Sequence, residues 1–140
     1  MSFETIEFTR RDDGIAVVRL NRPQRLNAIN GRVLEELYAA VDAIDADREI
    51  RVFLLCGAPR ADGRPCFSAG FDLKSVAERV PLDPHLGARL TDRIDDLLTP
   101  SIAVVDGVCS TGGAELALAC DFRLVGEGLE LSDWHLKRLG

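Results

Sequence analysis

The chain has 140 residues, 46% of them hydrophobic and 29% charged, the balance of a folded domain rather than a disordered segment. Seventeen Lys and Arg against 23 Asp and Glu leave a net charge of -6, which excludes the concentrated basic face that nucleic-acid binding requires. The longest apolar runs, such as residues 52–56 and 102–105, fall far short of the ~20 residues that span a bilayer, so no membrane helix is expected.

A chain of this length buries about two thirds of its unfolded surface, so a single domain over residues 1–140 needs no disulfide or metal staple. Met1-Ser2-Phe3-Glu4 carries no apolar run, which reads as the absence of a secretory signal and makes the cytoplasm the expected compartment. Cys56, Cys66, Cys109 and Cys120 form no CxxC pair and read as small buried hydrophobes. His85 and His135 are the only histidines, too few for a His-rich metal cluster, and no metal ligands are assigned.

Residues 3–8 alternate, and the Asp12-Asp13-Gly14 turn leads into the β-prone run Ile15–Leu20, predicting a hairpin. Val33, Leu34, Leu37, Tyr38, Val41 and Ile44 then fall at helical spacing, predicting an amphipathic helix that ends near Asp47. Residues 51–56 form a short apolar strand, and the Gly- and Pro-rich stretch 57–65 is a loop. Leu86, Leu90, Ile94, Leu97 and Leu98 make a second helical stripe that Pro100 stops. A buried strand at 102–105, a short helix at 114–119 and a strand Phe122–Val125 follow. Strands alternating with helices indicate an α/β fold with a largely parallel sheet.

Two segments place main chain rather than side chains at a strand-to-helix junction: Cys66-Phe67-Ser68-Ala69-Gly70-Phe71-Asp72-Leu73, and the stretch from Asp106 through Thr111-Gly112-Gly113 to Glu115. Helix N-termini leave unpaired N–H groups and partial positive charge, so two such junctions, if they converge, can hold a developing oxyanion. Neither matches a Walker loop or a GxGxxG fingerprint. Each feature alone also has a structural reading: the glycine pair as turn chemistry, Glu115 as a helix-dipole partner, Asp72 as a cap or surface charge.

Taken together, their order and spacing resemble the crotonase superfamily of enoyl-CoA hydratases and isomerases. The match runs through Leu20-Asn21-Arg22-Pro23-Gln24-Arg25-Leu26-Asn27-Ala28, similar to the family's NRPxxxNA segment, then Phe67-Ser68-Ala69-Gly70-Phe71-Asp72-Leu73. It continues through Pro100-Ser101-Ile102-Ala103-Val104-Val105-Asp106-Gly107 and ends at Gly112-Gly113-Ala114-Glu115-Leu116 with Cys120-Asp121. The resemblance implies a crotonase-like (ClpP/crotonase) spiral of ββα units. It also implies chains about twice this length, so the sequence looks like a truncated N-terminal half.

By that resemblance the substrate is an acyl-CoA thioester, with coenzyme A as part of the substrate and no permanently bound cofactor. The thioester oxygen would sit between the N–H groups of Phe71 and Gly112, with Glu115 as general acid/base. Arg25, Leu26, Ala28, Ala69, Gly70, Phe71, Asp72, Leu73, Lys74 and Gly112 would surround the CoA moiety, although Arg25 and Lys74 also read as solvated surface charges. The family's hydratases pair two glutamates, and the position twenty residues after Glu115 holds His135 instead. Either His135 takes the second proton-transfer role or it packs within the Trp134-Leu136 segment. Isomerisation, decarboxylation and a slower hydration remain open. So does a noncatalytic acyl-CoA-binding or assembly subunit, or an inactive fragment. A homo-oligomer, trimeric or hexameric, is implied as well.

Overall fold

The computed structural model describes residues 2–74 and 84–132. Strands β1 (Ile6–Arg10), β2 (Ile15–Leu20), β3 (Val52–Gly57), β5 (Ser101–Val105) and β7 (Phe122–Val125) form one sheet in that order. The first pair is antiparallel and the others are parallel, as the alternation of elements predicts. A second sheet of three-residue parallel strands has the order β4 (Cys66–Ser68), β6 (Val108–Ser110), β8 (Glu130–Ser132). The sequence reading places β4 and β6 within strand-to-helix junctions and gives them no strand bounds, because three residues carry no measurable period.

Helix α1 (Gly31–Ala46) is capped by Asn30, whose Oδ1 accepts the Val33 N–H at 2.9 Å. Its stripe Val33, Leu34, Leu37, Ala40, Val41 and Ile44 is fully buried. It meets Ala16, Val18 and Leu20 of β2, Phe53 and Leu55 of β3 and Ala103 of β5 in one core. Helix α2 (Pro84–Asp95) adds Leu90 and Ile94 and is tied to α1 by Arg93, which bridges Asp42 and Asp45. Leu98 does not continue that stripe. The helix ends at Asp95, the Leu97 N–H turns back to the Ile94 carbonyl, and Leu98 faces out at 95% exposure. Helix α3 (Gly112–Ala119) buries Leu116 and Ala117. No helix among the described residues is long and apolar enough to cross a membrane.

The first strand begins three residues later than the alternation suggests, because the N–H groups before it go elsewhere. Glu36 of α1, buried at 4% exposure, accepts the Glu4 N–H at 2.9 Å, the Thr5 N–H at 2.9 Å and the Thr5 hydroxyl at 2.6 Å. Arg32, one turn earlier, pairs with it at 3.0 Å. Burial pushes the carboxyl up, but the Thr5 hydroxyl, the two N–H donors and Arg32 outweigh it and hold the group below its ordinary 4.5. A depressed carboxyl contributes stability above that ordinary value and loses it as pH falls through the folded-state value. Glu36→Gln is therefore expected to cost about 1–3 kcal/mol at pH 7, with the gap in urea midpoint narrowing below pH 4.5. A gap that stays constant down to pH 3 would contradict this assignment.

Candidate active site

After β2 the chain makes a single 3-10 turn, Pro23–Arg25, and then enters left-handed backbone at Leu26 (φ 52°) and Asn27 (φ 51°). Asn is among the few residues that tolerate this region, and here its side chain repays the strain. The buried Asn27 Nδ2 donates to the Ala58 carbonyl at 2.8 Å and the Cys66 carbonyl at 3.2 Å, while Oδ1 accepts the Arg22 N–H at 3.0 Å. Leu26 in turn accepts the Ala69 N–H at 2.9 Å. The Ser68 hydroxyl donates to the Asn27 carbonyl at 2.8 Å and accepts the Gly70 N–H at 3.1 Å. Segment 26–29 is thus laced to the chain leaving β4.

The lacing ends in a one-residue parallel bridge, Ile29 to Phe71. Ile29 N–H donates to the Gly70 carbonyl and the Asp72 N–H donates to the Ile29 carbonyl, both at 2.8 Å. In that pattern both Ile29 groups face residues 70–72, while the N–H and C=O of Phe71 point away from Ile29. Among the described residues the Phe71 N–H has no acceptor.

The second junction follows β6. Thr111 sits at φ 45°, ψ -116°, an uncommon conformation for a β-branched residue, costing about 1–3 kcal/mol. Its N–H donates to the Ser132 carbonyl at 3.2 Å and its carbonyl accepts the Glu115 N–H at 3.0 Å. Gly112 opens α3, where the first N–H groups lack intrahelical partners, and among the described residues its N–H has no acceptor. Glu115 lies in that first turn.

Glycines let the two junctions touch. A Cβ on Gly112 would lie 2.8 Å from Cε2 of Phe71, and one on Gly113 would lie 2.8 Å from the Ser68 carbonyl oxygen. At Gly70, with φ +89°, a Cβ would strike the Thr111 side chain and the Ser110 carbonyl. Phe71 and the exposed Glu115 border one cavity of about 630 Å³, whose wall includes Thr91, Asp92 and Asp95. Glu115 and Thr111 border a more apolar cavity of about 460 Å³ with Val105, Leu129 and Leu131. Cys109 also lines the second, but burial pushes its thiol up to about 11, so it is a protonated wall rather than a nucleophile.

Asp72 is buried, pairs with Arg22 at 3.1 Å and accepts the Lys74 N–H at 3.2 Å. It caps the chain that follows and is no surface charge. Arg25 is half-buried at the end of the 3-10 turn, Leu73 and Lys74 are exposed, Ala28 is buried and Ala69 half-buried. Among the described residues neither Arg25 nor Lys74 has an ion pair. His135 lies outside the described residues. Sequence reasoning assigns no role to Arg22, Asn27 or Ser68, although all three stand within the quoted segments.

In this α/β chain the two main-chain junctions meet at the N-terminus of α3, in whose first turn Glu115 lies. The sequence profile of the enoyl-CoA hydratase/isomerase family matches residues 10–132, and the chain belongs to that family. It is 36% identical over 129 residues to a probable enoyl-CoA hydratase of Rhizobium meliloti, covering 91% of this chain and 48% of that one. It is 31% identical over 143 residues to the ethylmalonyl-CoA decarboxylase of Xenopus laevis, covering 97% and 45%. An enoyl-CoA hydratase structure from Bacillus anthracis superposes with a TM-score of 0.82 at 30% identity, covering 96% of this chain and 52% of that one. The fold is the crotonase fold, and the chain spans about half the length of the curated relatives it matches.

The close approach at Gly70 has a measurable cost. Gly63 has a similar φ of +83° with nothing within 4 Å of its would-be Cβ. Gly63→Ala is expected to lose only the backbone term, about 1–2 kcal/mol. Gly70→Ala should lose at least 1 kcal/mol more, from overpacking against main chain. Equal denaturation midpoints for the two variants would show that the junctions do not press on each other.

Proposed function

We propose that this chain carries the thioester-activating part of an enzyme that processes acyl-CoA. The observation that carries the reading is that, among the described residues, neither the Phe71 N–H nor the Gly112 N–H has an acceptor, while the Phe71 ring packs on Gly112 and Glu115 stands one helical turn on. Two preorganised donors polarise the thioester carbonyl and stabilise the enolate that forms when a proton moves at the adjacent carbon; one such donor is worth about 2.7–4 kcal/mol. Glu115 is the general acid/base. Because the donors are main chain, the bulk of Phe71 is no obstacle, and its ring serves as a wall of the cavity that Glu115 borders.

Asp92 and Asp95 give that cavity an acidic side, which repels phosphate. The CoA phosphates are therefore assigned to the side of residues 25–28 and 72–74, where Arg25 and Lys74 supply cations. Hydration, isomerisation and decarboxylation all pass through an enolate. The relatives' names, hydratase and decarboxylase, span that range. With His135 in place of a second carboxylate, the proton carried at the other carbon is the variable that sets the reaction. Leu118, Phe122, Leu124 and Leu131 are exposed, an apolar surface that favours a homo-oligomer.

The test is turnover of a 2-enoyl-CoA, a 3-enoyl-CoA and a carboxylated acyl-CoA by wild type and Glu115→Gln, with calorimetric binding in parallel. One substrate class should turn over, and Glu115→Gln should slow it by about 10²–10⁴-fold while Kd stays within about threefold. Binding without turnover of any of the three would favour a noncatalytic acyl-CoA-binding subunit, and unchanged turnover in the variant would remove Glu115 from the mechanism.

A further inference from the structure

The Ile29–Phe71 bridge is isolated, with no ladder on either side to hold its register. Beside it lies the only ion pair between these two segments among the described residues. Arg22 Nη1 donates to the Ala28 carbonyl at 2.6 Å and to Asp72 Oδ2 at 3.1 Å. Ala28 immediately precedes one half of the bridge and Asp72 immediately follows the other. A single guanidinium nitrogen thus ties the segment that carries Ile29 to the segment that carries Phe71. Both side chains are shielded, at 13% and 6% exposure, so water competes weakly for the pair. Its second oxygen holds the Lys74 N–H, which fixes the exit of the chain from Phe71 as well.

We propose that Arg22 and Asp72 are positioning residues: their ion pair fixes the Phe71 N–H at the depth where it meets the substrate oxygen, without either side chain touching substrate. The proposal rests on the reading of Phe71 as an oxyanion donor, but the clamp itself exists without a ligand and is testable without one. A misplacement of about an ångström is enough to weaken a preorganised donor severely, because its catalytic value depends on its location in the transition state. Loss of the clamp therefore lowers kcat more than it raises KM. A surface or purely structural ion pair would instead leave the kinetics of the folded fraction alone.

The experiment compares wild type, Arg22→Met, Arg22→Lys and Asp72→Asn in the whole chain. Amide hydrogen exchange without ligand reads the clamp: in Arg22→Met and Asp72→Asn the backbone amides at positions 29 and 72 should exchange at least tenfold faster. Leu55 in the β2–β3 ladder should keep its protection, which shows that the variants fold. The second reading uses a short 2-enoyl-CoA labelled with ¹³C at the thioester carbon. Bound to wild type its carbonyl resonance should move downfield; bound to Arg22→Met it should lose most of that displacement with Kd changed less than about threefold, and Arg22→Lys should recover part of it. Unchanged exchange at positions 29 and 72, or a wild-type carbonyl resonance in Arg22→Met, would overturn the positioning role. A wild-type protein that binds the probe without any carbonyl displacement would instead overturn the oxyanion reading, and the exchange data would still decide whether the clamp exists.

Discussion

Three stretches of main chain, residues 26–29, 66–72 and 108–113, lie closer together than side chains permit, and the candidate site depends on that approach. Close packing of backbone leaves polar groups buried, and each one left unsatisfied costs about 1–3 kcal/mol. The fold answers with short polar side chains that reach local carbonyls and amides. Asn27 takes two carbonyls and one N–H, and Ser68 takes one of each. Among the described residues no buried side-chain nitrogen or oxygen lacks a hydrogen bond. Such a network is rigid because it is complete, and removing a member leaves its partners stranded. The amides of Phe71 and Gly112 stand out against that background as groups that nothing inside the described chain uses.

The large sheet and its helices supply the frame. The buried positions of β2, β3 and β5 alternate, so α1 and α2 cover one face while Val104 on the other is exposed. Strand β7 is exposed along its whole length. The well-packed side and the open side therefore meet near α3, whose N-terminus faces the junctions and whose Leu118 faces out. Arg123 holds the far end of α3 by donating to the Ala117 and Cys120 carbonyls, at 3.4 and 2.8 Å. That interaction complements the helix dipole and fixes the axis along which the N-terminal donors point.

Much of this was legible from residue pattern, and the exceptions have physical causes. Ile15–Leu20 and Phe122–Val125 are mostly apolar runs, each broken by one Arg and flanked by turn or polar residues, and both strands have those limits in the structure. The helix begun by Asn30 follows its apolar stripe closely, since cap and periodicity agree. The small sheet was not legible, because three-residue strands are defined by their neighbours and not by their own sequence. The start of β1 differs from the alternation because Glu36, 31 and 32 residues away, captures the Thr5 and Glu4 N–H groups that alternation assigns to a ladder. At the site, Gly70, Phe71, Gly112 and Glu115 were readable as a motif. The link from Arg22 to Asp72 spans fifty positions and joins two residues that each look like ordinary surface charges.

A site whose donors are main-chain amides separates two requirements that a side-chain site must combine. Donor placement is fixed by glycines, by the left-handed pair Leu26–Asn27 and by the contacts between the junctions, none of which has to change when the substrate does. Side chains then remain free to set the shape of the cavity and the movement of protons. Phe71 illustrates the division: its N–H faces away from the bridge while its ring packs on Gly112 and approaches Gly87 of α2, so its size shapes the cavity without displacing the amide. Glu115 illustrates the other half: its carboxylate stands in the first turn of the helix that Gly112 opens, so on the function proposed above acid/base group and donor belong to one rigid unit. An architecture divided in this way keeps one electrostatic core while its wall residues vary, and relatives named for hydration and for decarboxylation share this half of the chain.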